Sequence, residues 1–292
     1  MKLPRFEYHA PDTLDEVLSL LAEHGDEAKV LAGGQSLVPL LAMRLARPTQ
    51  VIDVNRVASL STIEERESQI VFGATARERT AERSPLVRTQ LPLLAEALPF
   101  IGHAAIRTRG TIGGTVAHAD ASAEIPCVVT TLDGEIVVRS AGGERTIAAP
   151  DFFQGHFTTA LADDECVVEV RLPASDPRAG FAFQEIARRH GDFALVGVAA
   201  MVSLGADGAI ADSRITLMGV ADVPLRARAA EAALEGASPT EETFAAAART
   251  ATADLRPATD VHGSAAYRTH LAEVVVRRTL TTAAARARSA QA

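Results

Sequence analysis

The chain has 292 residues, of which 47% are hydrophobic and only 4% aromatic, and its formal net charge is −8. That length suffices for two domains with a sizeable core of small aliphatic side chains. The negative charge argues against a nucleic-acid partner, because proteins that bind nucleic acid normally have a basic face. No segment has the roughly 18 unbroken apolar residues that a spanning helix needs, and the first residues lack a signal-peptide pattern. We therefore expect a cytoplasmic protein without membrane insertion.

The two cysteines, Cys127 and Cys166, are far apart and neither belongs to a Cys-x-x-Cys pair. An iron–sulfur cluster needs about four thiolates, and a structural zinc site needs a comparable set of ligands. We therefore expect no metal site in this chain and predict two buried, reduced thiols.

The first part of the chain alternates short strands with helices. Strands are predicted at 5–9, 51–54 and 70–74, and helical segments at 75–82 and 91–98. Thr13 followed by Glu16 predicts a capping box. The helix after it carries one apolar stripe, formed by Leu14, Val17, Leu18 and Leu21.

A glycine pair, Gly33-Gly34, follows the predicted strand end at 30–32. Ser36 is a predicted N-cap for a helix over 37–45, which Pro48 would end. Glycines let backbone N–H groups approach a ligand without side chains in the way, so a strand, a glycine turn and a helix start are typical of a phosphate site. A simple tight turn is the alternative.

A second pair, Gly113-Gly114, lies in the small-residue stretch 108–124 and precedes a predicted helix at 125–132. Two such glycine turns would suit the two ends of one long phosphate-bearing ligand. Arg107 or Arg109 would meet a phosphate or would be solvated or salt-bridged. His118 would contact a ligand or donate to a backbone carbonyl.

The remaining pattern predicts a separate domain. Strands are expected at 135–139 and 166–172, with an aromatic connection between them, and a boundary follows at 173–180. A strand at 181–187 then precedes a hairpin, 195–204 with 209–220, around an Asp-Gly turn. Helices at 225–235, 241–254 and 265–285 complete it, so this part is a second α+β unit.

Two motifs carry a resemblance to a known family: Ala32-Gly33-Gly34-Gln35-Ser36-Leu37 and Thr111-Ile112-Gly113-Gly114-Thr115-Val116-Ala117-His118-Ala119-Asp120. They resemble the paired flavin-binding motifs of the FAD-binding medium subunits of molybdenum hydroxylases, the group of aerobic carbon monoxide dehydrogenase and xanthine dehydrogenase. Further matches follow in the family's order at 151–161, 169–173, 188–194, 254–256 and 267–278.

The resemblance implies an α+β fold: a vanillyl-alcohol-oxidase/PCMH-type FAD-binding domain of two subdomains, and a C-terminal α+β domain with an antiparallel sheet and three helices. The implied domains are 1–175, with subdomains of about 1–55 and 56–175, and 180–286. FAD would lie between the subdomains, its pyrophosphate on the first glycine motif and partly enclosed by residues 111–115.

The resemblance also implies a set of cofactor contacts. Glu124 stands where the family commonly has Asp. Ile101 and Val167 stand where the family has apolar groups against the flavin, and Gln184 stands where some relatives have lysine. The full implied set is Leu31, Ala32, Gly33, Gly34, Gln35, Ser36, Leu37, Ile101, Thr111, Ile112, Gly113, Gly114, Thr115, Ala117, His118, Glu124, Val167 and Gln184. No catalytic or metal-binding residue is implied.

The implied function is that of an FAD-binding electron-transfer subunit with noncovalent FAD. It would accept electrons from a [2Fe–2S] small subunit and pass them to a terminal acceptor. A large subunit would hold molybdopterin, in a dimer of heterotrimers. The alternative is a free-standing flavin oxidoreductase with its own substrate site, with His103 or His118 available for covalent FAD. A scaffold that has lost its flavin is a third interpretation.

Overall fold

The computed structural model describes residues 2–291, so Met1, with which the implied first domain begins, lies outside the described residues. The first unit is a three-stranded parallel sheet with helices beside it. Its elements are β1 (Glu7–His9), α1 (Leu14–His24), β2 (Ala28–Leu31), α2 (Leu37–Ala42) and β3 (Gln50–Asp53). The strand order is β1-β3-β2, so the glycine motif after β2 and the residues after β3 emerge at the same sheet edge.

The second unit is a five-stranded antiparallel sheet covered by helices, in the order β4-β5-β10-β6-β7. Its elements are β4 (Ile63–Arg66), β5 (Gln69–Gly73), α3 (Glu78–Arg83), α4 (Pro85–Gln90), α5 (Pro92–Ala97), α6 (Ala104–Arg109), α7 (Ile112–His118), α8 (Glu124–Thr131), β6 (Glu135–Ser140), β7 (Gly143–Ala148), α9 (Ala149–Phe152), β8 (Phe153–Gly155), β9 (Thr158–Thr159) and β10 (Cys166–Pro173).

The third unit is an antiparallel sheet, in the order β11-β12-β13-β14, with helices on one face. Its elements are β11 (Gly180–Ile186), β12 (Val196–Leu204), β13 (Ile210–Met218), β14 (Leu225–Arg226), α10 (Arg228–Leu234), α11 (Glu241–Thr252) and α12 (Ala265–Gln291). Single-turn 3₁₀ helices lie elsewhere in the chain, at Gly25–Glu27, Ala58–Ser61 and Leu98–Phe100. Within residues 2–291, no helix combines the length and the apolar character needed to cross a membrane.

The units stack in layers through separate hydrophobic clusters. Alternate residues of the second sheet face α1 on one side and the helices of their own unit on the other, as Val137 and Val138 illustrate. Alternate residues of β11 likewise divide: Phe183 packs toward the second unit and Ala182 toward α12. Helix α8 lies between these two sheets, which is why all eight of its residues are buried.

Most predicted elements are confirmed. The capping box is present, since Thr13 Oγ1 accepts from the Glu16 N–H and the Glu16 carboxylate accepts from the Thr13 N–H. The hairpin between β12 and β13 also forms as expected. The edge strands β4 and β7 were not predicted, because their mostly exposed side chains lack an apolar alternation.

The helix after the first glycine pair was predicted wrongly in two respects. Ser36 makes no side-chain capping bond. The helix ends at Ala42 rather than at Pro48, because Arg44 adopts a left-handed conformation with φ 59°. The Leu45 N–H then bonds back to the Leu40 carbonyl at 2.9 Å, which satisfies a helix-end acceptor as in a Schellman turn.

Candidate functional site

The first glycine motif forms a corner between β2 and α2, and we call residues 31–37 the glycine corner. Gly34 has φ 75°, which favours glycine. Gly33 is buried against the second unit: a Cβ added there would lie 2.5 Å from the Arg109 carbonyl oxygen and 2.9 Å from Gly110 Cα. Any side chain at position 33 would therefore force the two units apart.

The backbone donors of this corner are free. Among the hydrogen bonds of residues 2–291, none is donated by the N–H groups of residues 33–37. Polar side chains reach the carbonyls of the corner instead: Gln35 Nε2 donates to the Gly33 carbonyl at 3.2 Å, and Asn55 Nδ2 donates to the Ala32 carbonyl at 2.8 Å. Gly33 is buried and residues 34–37 are partly exposed, so this run of unpaired donors beside a helix start is open to a ligand and is suited to an oxyanion such as a diphosphate.

The second glycine pair is not a turn, and that prediction was wrong. Gly113 and Gly114 lie in the first turn of α7, whose N-cap is Thr111. The backbone N–H groups here are already bonded: Ile112 to Ala76 O at 2.9 Å, Gly113 to Ala74 O at 3.0 Å, Gly114 to Thr111 Oγ1 at 3.1 Å and Thr115 to Thr111 O at 3.0 Å. The backbone N–H groups of residues 112–115 are therefore not available to a ligand.

The glycines of α7 serve close packing instead. A Cβ on Gly113 would lie 2.6 Å from Ala74 Cα, so this glycine lets α7 press against the chain after β5. A Cβ on Gly114 would lie 3.6 Å from Ala32 Cβ. The structure thus brings the glycine corner and the N-terminal turn of α7 together, as the resemblance implied, but with different roles for their backbones.

The other implied residues on α7 continue along its half-buried side. Thr115, Ala117 and His118 are each partly accessible. The imidazole of His118 stacks on Phe157, with ring centroids 4.9 Å apart. None of the hydrogen bonds of residues 2–291 joins this ring to a backbone carbonyl, and its contact with a ligand stays a prediction. Burial lowers the pKa of His118, which keeps the ring neutral near pH 7.

Ile101 and Val167 belong to the hydrophobic cluster of the second unit, together with Ile112. Both are almost fully buried. Leu31 and Leu37 flank the corner and are half-buried. Ile101, Ile112 and Val167 therefore pack within one core cluster, and Leu31 and Leu37 lie at the two ends of the glycine corner.

Glu124 begins α8 and is buried, and its pKa is raised to about 8 by that burial and by the neighbouring Glu185.

Gln184 is not part of this region, because its side chain points to α12, where Nε2 donates to Thr282 Oγ1 at 3.4 Å. The next residue, Glu185, shares a strand face with Phe183, and burial raises its pKa to about 7. The alternation of Phe181, Phe183 and Glu185 along the predicted strand is the signal that could have identified it.

Glu78, on α3, is a second buried carboxylate that the sequence did not reveal. Its side chain is 2% exposed, and Oε1 accepts the Thr115 hydroxyl at 2.7 Å. Burial raises its pKa to about 7. A Cβ on Gly110 would overlap this carboxylate, so Gly110 makes room for it. Glu78 thus ties α3 to α7.

The two arginines near the second motif differ: Arg107 is held in a salt bridge, and the Arg109 side chain is exposed. Arg107 is buried and pairs with Glu82 through Nε at 3.0 Å, and it also donates to the Ile101 carbonyl at 2.9 Å. It is therefore salt-bridged rather than available to a phosphate. The Arg109 side chain is exposed, and its carbonyl oxygen accepts from Arg77.

Neither cysteine is accessible from this region. Cys127 on α8 and Cys166 on β10 are buried free thiols, and burial raises the pKa of both. His103, the other residue considered for covalent attachment, is exposed, and its ring lies 6.3 Å from that of His190.

Two family models match the chain. The model described as the FAD binding domain in molybdopterin dehydrogenase matches residues 4–175, and that described as the CO dehydrogenase flavoprotein C-terminal domain matches residues 181–283. The 6-hydroxypseudooxynicotine dehydrogenase complex subunit alpha of Paenarthrobacter nicotinovorans is 42% identical over 99% of this chain and 97% of its own length. The carbon monoxide dehydrogenase medium chain of Hydrogenophaga pseudoflava is 40% identical over 97% of this chain and 98% of its own length.

Solved structures agree with these matches. A chain of carbon monoxide dehydrogenase from Hydrogenophaga pseudoflava, in a form lacking the Mo-pyranopterin moiety, superposes with a TM-score of 0.96 at 42% identity and covers 98% of this chain and 99% of its own. A chain of quinoline 2-oxidoreductase from Pseudomonas putida 86 gives a TM-score of 0.93 at 38% identity, covering 98% and 99%. The predicted fold class is confirmed, and the chain belongs to the family of FAD-binding medium subunits of molybdenum hydroxylases, which are oxidoreductases.

Proposed function

We propose that this chain is an electron-transfer subunit: it holds FAD noncovalently, receives electrons from a [2Fe–2S] partner subunit and passes them to a terminal acceptor. The observation that carries the proposal is the glycine corner: its N–H groups at 33–37 have no hydrogen-bond partner among residues 2–291, and Gly33 packs against the backbone that leads into α7. Unpaired backbone donors in a glycine corner between a strand and a helix suit a diphosphate-bearing ligand.

The residues at and beside the glycine corner would have different roles in binding the cofactor. Gly33, Gly34 and Ser36 would offer backbone donors to the diphosphate, with Ala32 and Gly114 beside them. Thr111, Thr115 and His118 would line the opposite side, and Ile101 and Val167 would support the flavin ring as apolar contacts. Glu124 would contact the cofactor from the start of α8. When bound, FAD supplies the redox chemistry, and the protein supplies orientation and electrostatics.

We further propose the partners that the family match suggests: a small subunit with a [2Fe–2S] cluster and a large subunit with molybdopterin, assembled as a dimer of heterotrimers. The names of the relatives support a multi-subunit assembly, since they are a complex subunit and a medium chain. We propose domain boundaries at 1–175 and 180–286, which agree with the break between the second and third sheets. The cytoplasmic location stays a prediction.

The proposal is tested with the purified full-length chain. We expect it to bind about one FAD, to release that FAD on acid or heat denaturation, and to form a complex with an iron–sulfur subunit. FAD that stays attached after denaturation would instead support a free-standing flavin oxidoreductase with covalent cofactor. A chain with no affinity for FAD would reject the proposal.

A further inference from the structure

A chain of hydrogen bonds runs behind the glycine corner and joins the first unit to the second. It begins at Asp53, the last residue of β3, whose Oδ2 accepts the Tyr8 hydroxyl at 2.6 Å. The other oxygen, Oδ1, accepts from Asn55 twice, from the backbone N–H at 2.9 Å and from Nδ2 at 2.5 Å. Asn55 is therefore held in one orientation.

The Asn55 amide then connects the corner to the second unit. Nδ2 also donates to the Ala32 carbonyl at 2.8 Å, and Oδ1 accepts from Arg77 Nη2 at 2.5 Å. Both amide hydrogens have acceptors and the amide oxygen has a donor, so this orientation satisfies the whole side chain. A carboxylate at position 55 could not donate to Ala32.

Arg77 completes the connection. Its second terminal nitrogen, Nη1, donates to the Arg109 carbonyl at 2.5 Å. That is the carbonyl against which Gly33 is pressed, since a Cβ on Gly33 would lie 2.5 Å from it. The Arg77 guanidinium therefore links Asn55, which bonds to the corner, to the backbone that leads into α7.

We propose that Asn55 and Arg77 form a clamp that fixes the distance between the glycine corner and α7, and that Arg77 is a positioning residue for the cofactor rather than one of its phosphate ligands. This inference rests on the proposed function. The planar, two-pronged guanidinium suits the role, because its two terminal nitrogens contact the Asn55 and Arg109 oxygens in a fixed geometry, whereas a lysine ammonium is a single nitrogen on a flexible stem. Arg109, whose side chain lies nearby and is exposed, offers a cation without this geometry.

The competing explanation is that Arg77 acts through its charge by attracting the diphosphate. Four variants of the full-length chain separate the two: Arg77→Lys, Asn55→Ala, the double variant, and Arg109→Ala as the control. Arg109→Ala removes a nearby cation but keeps the carbonyl that Arg77 contacts. Arg77→Lys keeps the charge but loses the double contact.

The clamp predicts that Arg77→Lys and Asn55→Ala each weaken FAD binding about tenfold, as expected for the loss of a charge-assisted hydrogen bond. The double variant should bind FAD with about the same affinity as either single variant, because each change breaks the same connection. Arg109→Ala should bind FAD within about twofold of the wild type, apart from a weaker salt dependence. At saturating FAD, the visible circular dichroism of bound flavin should differ from the wild type in the clamp variants.

The measurements are FAD titration by fluorescence at two salt concentrations and visible circular dichroism of the saturated protein. Melting temperatures without FAD would check that each variant is folded. Wild-type affinity in Arg77→Lys with a large loss in Arg109→Ala would overturn the clamp, and so would fully additive losses with an unchanged flavin spectrum. Absence of FAD binding by the wild-type chain would overturn the proposed function and the clamp together.

Discussion

The glycine pairs of the two motifs, Gly33-Gly34 and Gly113-Gly114, have the same composition but opposite backbone states. At Gly33-Gly34 the chain is outside regular structure, Gly34 has φ 75°, and the surrounding N–H groups are free. At Gly113-Gly114 the chain is helical, and the N–H groups at 112–115 bond to Ala74, Ala76 and Thr111. One pair therefore exposes backbone donors, and the other removes side-chain bulk so that a helix can approach its neighbours.

The difference shows that a glycine pair can serve a site in two ways, and that sequence context alone does not distinguish them. Both pairs stand beside hydroxyl residues and before an apolar run. The distinction arises from tertiary contacts: α7 is drawn against the chain after β5, whose carbonyls supply the acceptors. The first two predictions below separate ligand binding at the first pair from packing at the second.

The largest effect is expected for Gly33→Ala. Its Cβ would collide with the Arg109 backbone, which cannot rotate away as a side chain could. We expect FAD affinity to fall about 100-fold, since overpacking of this kind costs about 1–3 kcal/mol. FAD titration measures the loss. The control is Gly155→Ala, where the nearest atom would be 3.8 Å away, and an equal loss there would contradict the account.

Gly113→Ala tests the packing role of the second pair. The added methyl would meet Ala74, and we expect the free energy of unfolding to fall by about 1–3 kcal/mol. The folded fraction should keep more of its FAD affinity than Gly33→Ala does, because no ligand-facing amide is changed. Urea denaturation measures stability. Unchanged stability with lost affinity would show that the second pair also offers donors.

The buried carboxylates predict a pH dependence of stability. The pKa of Glu185 is about 7 in the folded chain and about 4.5 when unfolded. The folded state thus holds a proton that the unfolded state has lost, and the stability from this group declines as pH rises through about 7. The coupled Glu124, with a pKa of about 8, extends the decline. Asp120, Glu78 and Cys127 are the other titratable groups near this pair.

Glu185→Gln removes one of these ionisations. Between pH 5 and pH 9, we expect the FAD-free variant to lose about 1 kcal/mol less stability than the wild type, because one pKa unit corresponds to about 1.4 kcal/mol and solvent access reduces the effect. Urea denaturation at both pH values measures it. A steeper decline in the variant would contradict the burial of this carboxylate.

The smallest effects on stability are expected at the residues that precede two helices, Thr111 before α7 and Ser36 before α2. Thr111 accepts the Gly114 N–H, so Thr111→Ala should lower stability by about 1 kcal/mol. Ser36 makes no such bond, so Ser36→Ala should change it by less than about 0.5 kcal/mol. Thermal melts of the FAD-free chains compare the two. Equal losses would show that Ser36 caps α2 after all.

Local signals predicted much of the fold. Thr13 with Glu16 located the start of α1, and the Asp-Gly pair located the β12–β13 hairpin. The early end of α2 was missed because Arg44 holds a left-handed conformation that usually favours glycine or asparagine. The polar edge strands β4 and β7 were missed because they pair through backbone groups without an apolar face.

The site was predicted less completely, for a physical reason. The glycine motifs could be recognised in the sequence. Asn55, Arg77 and Glu78 could not, because they act through contacts with residues that are 22 to 37 positions away. Gln184 and Glu185 differ only in which strand face they occupy. Sequence spacing does not reveal such contacts unless the partner surface is already known.

The central claim is that the free amides of the glycine corner, and not those of α7, hold the diphosphate of FAD. Hydrogen–deuterium exchange of the full-length chain, followed by mass spectrometry with and without FAD, tests it directly. We predict that amides 33–37 exchange quickly in the free chain and become protected with FAD, while amides 112–115 are already protected in both. Protection that appears at 112–115 and not at 33–37 would contradict the claim.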